Sequence, residues 1–224
     1  MRSSGSASAL LPLALAMLLV GASFGAVAVA AGVSVPQTVA LSALVYAGGA
    51  QFLVVAAVAA GAAPAAIAFG GLLLNARHLP YGLVLAEVLA GRRWASLLGA
   101  HLLTDEVTAF TTAELAGHGD PARARRTYFA AGLTLFLAFN LGTAFGAVGG
   151  ELIGDPAALG VDAAFPAALL ALTAGVWRYR TDRRVALLGA VIAVLLTPVL
   201  PAGLGVIAGL GGLVAAGRAG EASA

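Results

Sequence analysis

Between Arg2 and Arg77 the chain carries no Asp, Glu, Lys or Arg, and an uncharged run of that length cannot clothe a water-soluble domain. Soluble domains carry about 25% charged residues, whereas this one has 10%, with 61% hydrophobic. About 20 consecutive apolar residues cross a bilayer as a helix, and several such runs follow one another. A transmembrane β-barrel alternates in character every second residue, which these continuous runs do not. The expected fold is all-α: a polytopic transmembrane helical bundle forming one domain over residues 1–224.

Eight apolar segments are legible. They cover about 9–31, 38–60 (with Gln51 inside), 65–90 (interrupted by NARHLP), 94–115, 127–149 (with Asn140 inside), 163–177, 185–200 and 202–216. The first could be mistaken for a signal peptide, but its apolar run continues past Ala31 without a convincing cleavage context. GAAP at 61–64 reads as a tight turn, with Pro64 suited to the first turn of the next helix.

Every basic residue is Arg. Cytoplasmic loops are enriched in basic residues, so residues 118–126 and 178–184 are expected inside, the acidic loop 151–162 outside and the C-terminus cytoplasmic. If segment four crosses fully there are eight spans, and Arg92 and Arg93 fall outside. If it is re-entrant there are seven, with the N-terminus and Arg2 outside. The second option displaces fewer arginines and is preferred. GASFGAV at 21–27 recurs as GTAFGAV at 142–148, which suggests a duplication with halves about 9–90 and 127–217 and a polar linker at 91–126. With seven spans the copies would be inverted, a plan frequent in secondary transporters; with eight they would be parallel.

A charge in a span costs about 2.5–3.5 kcal/mol on insertion scales, so such residues usually face a bundle interior or a water-filled path. Asn75, Arg77 and His78 arrive together, followed by His101, Asp105 and Glu106. His101, Thr104, Asp105 and Thr108 have the spacing of one helix face, on which a His101–Asp105 pair could carry a proton or serve only as a structural pair. His78, His101 and Asp105 are the proton-coupling candidates. Arg77 has two readings: it neutralises Asp105, Glu106 or Glu87, or it holds a substrate carboxylate through its two-pronged fork. Gln51 and Asn75 would supply hydrogen bonds at helix breaks.

Gly21-x-x-x-Gly25 and Gly142-x-x-x-Gly146 fit close helix packing through small residues. Gly21-Ala-Ser-Phe-Gly25 also matches the G-x-S-x-G pattern of serine hydrolases. An intramembrane hydrolase on Ser23 with His78 or His101 is therefore one alternative, and a non-catalytic subunit of a larger complex is another. With three His and no Cys, no metal site or cofactor is expected. No Walker A sequence is present, so energy for transport would come from a gradient or an exchange. The chain is not expected to be an enzyme.

The runs AGGAQF at 47–52, GAAP at 61–64, LLLNARHLPYGL at 72–83 and LLTDE at 102–106 resemble the AzlC family of branched-chain amino acid exporters. The likeness extends from Leu10 to about Ala216, and NARH with LLTDE is its specific part. It implies a permease of the bacterial inner membrane that exports leucine, isoleucine, valine and methionine with a small AzlD-like membrane subunit. In this chain Glu87 lies in LVLAEVLAGRRW where many relatives have a Pro-containing segment, so no family role is carried over to it.

Overall fold

The computed structural model describes residues 4–153, 180–200, 208, 209, 211 and 212. Among the described residues the helices are α1 (Ser4–Ala30), α2 (Val35–Val45), α3 (Gly48–Ala59), α4 (Pro64–Asn75), α5 (His78–Val84), α6 (Ala86–Leu89), α7 (Arg93–His101), α8 (Asp105–His118), α9 (Pro121–Ile153) and α10 (Arg180–Leu196). No strand occurs among the described residues. Among the described residues, two helices are long and apolar enough to cross a membrane, over Leu10–Ala30 and Pro121–Leu152, while α2 and α3 are shorter apolar helices.

The spine is α1 against α9. Gly21 abuts the carbonyl of Phe139, Gly25 the backbone of Thr143, Gly142 the carbonyl of Leu18, Gly146 that of Ala22, and Gly150 the backbone of Ala26. Without Cβ atoms at these positions the two backbones touch, as small-residue seams allow. Residue numbers rise together on both helices, so they run parallel. The contacts are reciprocal between the two copies of the repeated heptapeptide: Gly21 meets Phe139, and its counterpart Gly142 meets Leu18, the counterpart of Phe139. The copies therefore point the same way, and the inverted orientation expected with seven spans does not describe them.

The reason lies in segment two, which is not one span but a hairpin. Helix α2 descends along α9, with Ser42 bonded to Thr143 at 3.2 Å and Tyr46 against Phe136 and Phe139. At Tyr46 the backbone enters the left-handed region (φ 30°, ψ 61°), which non-glycine residues rarely adopt, and the chain turns back. Helix α4 is antiparallel to α3, since Gly49 lies beside Leu74 and Arg77 while Gly70 lies beside Leu53. Ala76 and Arg77 are both right-handed helical, so α4, α5 and α6 follow one another as a single kinked traverse. That traverse ends where Arg125 of α9 bonds the carbonyls of Val88 and Ala90, both at 2.6 Å. Its start, and hence the outer end of α3, therefore lies at the opposite end of the bundle, where α1 finishes.

Segment four is a second hairpin, entering from the other end. Tyr128 donates to the carbonyl of Gly99 at 2.6 Å, Gly132 lies beside Leu102, and His101 reaches Phe136, so α7 climbs along α9. Helix α8 then returns to the start of α9, where Glu114 pairs with Arg123 and with His118. At 1.5 Å per residue, α7 is about 14 Å long, roughly half a bilayer core. Segments two and four are thus each a hairpin of two short helices rather than one continuous helix. Because α1 parallels α9, α1 begins at the end that also carries Arg92, Arg93, Arg123 and Arg126.

Large apolar side chains such as Leu19, Phe69, Leu83, Trp94, Leu137 and Phe145 are exposed around the perimeter, while Phe24, Tyr128, Leu135 and Phe139 are buried at the centre. An apolar outside over an apolar inside suits hydrocarbon rather than water as the surrounding medium. Segment six and the cluster at 178–184 up to Arg178 fall outside the described residues, as does most of segment eight.

Candidate functional site: a cavity between two hairpin tips

The tips of the two hairpins meet at mid-height. At one tip the chain leaves α2 through Tyr46 and Ala47 and enters α3 at Gly48. The buried side chain of Gln51 folds back so that its Oε1 accepts the Ala47 N–H at 3.0 Å. At the other tip α7 ends on His101, and Thr104, in extended conformation, caps α8 by accepting the Val107 N–H at 3.3 Å. The imidazole of His101 donates through Nε2 to the carbonyl of Ala43 at 2.9 Å; a carbonyl only accepts, so that nitrogen carries the hydrogen. Its ring also packs on Tyr46.

Beside the joined tips lies a cavity of about 170 Å³ lined by Tyr46, Ala47, Gly48, Gly49, Phe52, Arg77, His78, Thr104, Asp105, Glu106 and residues of α1 and α9. Its α1 wall is Leu13, Ala16, Met17 and Val20. An apolar cavity of about 150 Å³ accommodates benzene, so this one suits an aliphatic side chain with a small polar head.

Arg77 Nη1 and Asp105 Oδ2 form an ion pair at 2.9 Å across the cavity, each side chain 41% exposed. Of the two readings of Arg77, internal pairing is the one this conformation adopts. Asp105 Oδ1 is buried without a hydrogen-bond partner, and among the described residues Glu106 has no salt bridge. His78 is tied through Nδ1 to the Asn75 carbonyl at 3.0 Å, fixing it at the kink between α4 and α5. The two half-helices α3 and α8 both present N-termini to the cavity. That of α8 carries Asp105 and Glu106 in its first turn, whereas that of α3 carries no acid.

The structure brings together Arg77, His78, Asp105 and Glu106, as the sequence suggests. It does not form the His101–Asp105 face. The helix ends at His101 and restarts at Asp105, so the i, i+4 geometry is absent; His101 serves α2 and Asp105 serves Arg77. Gln51 lies beneath the tip, holding the turn rather than lining the cavity, and Asn140 donates to its own helix at Phe136. Ser23 sits inside unbroken α1 with no hydrogen-bond partner for its hydroxyl, so neither candidate histidine activates it. Tyr46, Gly48 and Gly49 were not predicted to line the site. The available signal was a Gly-Gly pair inside an apolar run, a place where a helix unwinds.

The profile of the AzlC protein family matches residues 12–153, which includes both hairpins and the whole cavity. The chain is 36% identical over 107 residues to the inner membrane protein YgaZ of Escherichia coli K12, covering 47% of this chain and 44% of that protein. It is 33% identical over 95 residues to an uncharacterized membrane protein of Helicobacter pylori, covering 42% of each. The matches thus span less than half the length of these relatives. No solved structure matches.

Proposed function

From the premise that the chain belongs to the AzlC family of membrane proteins, we infer that it is a secondary transporter exporting branched-chain or other hydrophobic amino acids. It would work by alternating access together with a small AzlD-like membrane subunit. The cavity between the hairpin tips carries this reading. It joins a cation, two carboxylates and an apolar wall in one space, the chemistry needed to hold a zwitterion with an aliphatic side chain. Re-entrant half-helices meeting near mid-height are the usual frame for transporter binding sites. Glu106, which has no salt bridge among the described residues, suits the substrate ammonium group. The Arg77–Asp105 pair spans the traverse α4–α5 and the hairpin α7–α8, two elements that alternating access would move against each other. Arginines gathered where α1 and α9 begin point that end to the cytoplasm by the positive-inside rule.

The test is leucine, isoleucine and valine efflux from cells expressing the chain with and without the small subunit. Efflux should rise with the pair and fall in Arg77→Ala and Asp105→Asn variants that still reach the membrane. Unimpaired export in both variants removes the cavity from the pathway, and no efflux of any hydrophobic amino acid removes the transport reading.

A further inference from the structure

Helix α7 begins at the arginine-rich end of the bundle and presents two different faces there. Trp94, Leu97 and Leu98 are exposed, and their i, i+3, i+4 spacing puts them on one side of the helix. The other side is bound to the bundle: Ser96 donates to the Leu89 carbonyl at 2.9 Å, and Gly99 accepts from Tyr128. Trp94 is 83% exposed. Tryptophan, with an apolar ring and one N–H donor, is enriched where hydrocarbon gives way to headgroups. An apolar outer face that starts on Trp94 therefore places the residues just before it at headgroup level.

Those residues are Arg92 and Arg93, both exposed. Arg125 holds their turn in place. Its guanidinium bonds the carbonyls of Val88 and Ala90, lies beside Gly91 and sits over the Phe129 ring at 5.1 Å. This clasp fixes the turn against the start of α9, where the next residue, Arg126, is exposed. Arg123 is taken by Glu114, and Asp120 is occupied in capping α9. Among the described residues Arg92, Arg93 and Arg126 have no salt bridge. The first turn of α7 adds no acid, and Glu87, exposed on α6, offsets only one of the three charges.

We propose that Arg92, Arg93 and Arg126 bind the headgroup of an anionic phospholipid whose acyl chains lie along Trp94, Leu97 and Leu98. Charge complementarity selects the occupant. Guanidinium groups offer paired N–H donors to phosphate oxygens, and basic clusters at a membrane surface attract anionic lipid. A zwitterionic headgroup would bring a cation of its own to a patch that is already positive. A soluble phosphate would leave the apolar face unused. The inference rests on the chain being a membrane protein and not on what it transports.

The chain has two tryptophans, so Trp177→Phe leaves Trp94 as the sole reporter. The full chain with that change is reconstituted in vesicles, with its small subunit if purification requires it. Trp94 fluorescence is then quenched by phosphatidylglycerol or by phosphatidylcholine, each brominated on its acyl chains. Phosphatidylglycerol should be preferred at least about threefold at low salt, and the preference should shrink as salt screens it. Arg92→Gln with Arg93→Gln should bring the ratio close to one. Arg183→Gln with Arg184→Gln, the same loss of charge on α10, should leave it unchanged, and inorganic phosphate should not displace the lipid. If Trp177→Phe does not fold, subtracting the signal of Trp94→Phe from that of the natural chain isolates Trp94. If the Arg92, Arg93 double variant does not fold, Arg126→Gln alone should lower the ratio. Equal quenching by the two lipids overturns the proposal, as does a preference that survives loss of the patch arginines or falls equally with the α10 pair. Displacement by inorganic phosphate makes the patch a site for soluble anions and overturns the lipid. Absence of quenching by either lipid means that protein covers this face, and overturns it too.

Discussion

His101 donates its Nε2 hydrogen to the carbonyl of Ala43 at 2.9 Å, joining the last residue of one inward half-helix to the last turn of another. Both groups lie far from either mouth of the bundle. A helix's final carbonyls have no intrahelical donor, and a deep bundle interior has little water to supply one. Removing the imidazole leaves the Ala43 carbonyl unsatisfied, which costs about 1–3 kcal/mol. His101→Ala should therefore lower the thermal unfolding temperature in detergent, and His101→Gln, which keeps a donor at similar reach, should recover part of the loss. Equal destabilisation by both would mean that ring packing on Tyr46 and Phe136, not the hydrogen bond, holds the tips together.

The Arg77–Asp105 pair predicts a different pattern. Because each side chain is 41% exposed, its contribution to stability is modest, about 1 kcal/mol or less. Its effect on transport should be much larger, since either residue left alone places an uncompensated charge in the cavity. Arg77→Ala and Asp105→Asn should each reduce efflux more than about tenfold, the loss expected for an effect above about 1.4 kcal/mol, while shifting the unfolding midpoint little. The exchange Arg77→Asp with Asp105→Arg should restore part of the lost efflux if pairing is what transport requires. No recovery of efflux in the exchanged protein would mean that the orientation of the pair matters as well.

Much of this site was legible in the sequence, and what was missed has a physical cause. A charge within an apolar run is costly wherever the run folds, so Arg77, His78, Asp105 and Glu106 identified the cavity without knowledge of the topology. The tips were harder. Periodicity reports that a stretch is helical, not that two half-helices share it, and ALVYAGGAQF reads as one apolar span. The turn depends on Tyr46 adopting a left-handed backbone, held by packing against Phe136, Phe139 and His101. Those contacts come from residues far away in sequence. The same misreading reversed the expected direction of the repeat, because one uncounted turn inverts every later span.

The glycine seam between α1 and α9 separates packing glycines from incidental ones. A methyl on Gly142 or Gly146 would run into the carbonyl of Leu18 or Ala22, backbone that moves only if the helices part. Gly142→Ala and Gly146→Ala should each destabilise by about 1–3 kcal/mol, the range for overpacking. On the same helix, Gly149 has nothing within 4 Å of its missing Cβ, so Gly149→Ala should be neutral or stabilising by up to about 1 kcal/mol. Unfolding in detergent compares the three directly. Similar effects from all three would dismiss the seam as a structural element.

The corner between α8 and α9 turns on Glu114, whose side chain is 8% exposed and pairs with Arg123 and His118. Breaking a buried pair by removing one partner costs more than replacing the pair by apolar groups, because the remaining charge stays buried. Arg123→Ala should therefore destabilise by about 2–4 kcal/mol, and adding Glu114→Leu to it should recover stability. Additive losses in the double variant would show that Glu114 contributes packing or hydrogen bonding of its own.

The two opposed hairpins make a prediction that accessibility can check. The chain has no cysteine, so single introduced cysteines report without background. Arg92 stands at the turn into α7 and Gly117 near the end of α8, and the contacts of both helices with the start of α9 put the two turns at one end. Ala63 stands at the turn between α3 and α4, at the other end. In intact cells a membrane-impermeant maleimide should distinguish Ala63→Cys from Arg92→Cys and Gly117→Cys, with the last two behaving alike. With the arginine-rich end in the cytoplasm, only Ala63→Cys should label before permeabilisation. Two results would overturn the arrangement at different points. If Arg92→Cys and Gly117→Cys label from opposite sides, α7 and α8 form one crossing helix. If Ala63→Cys labels with them, the α2–α3 segment passes through instead of turning back at Tyr46.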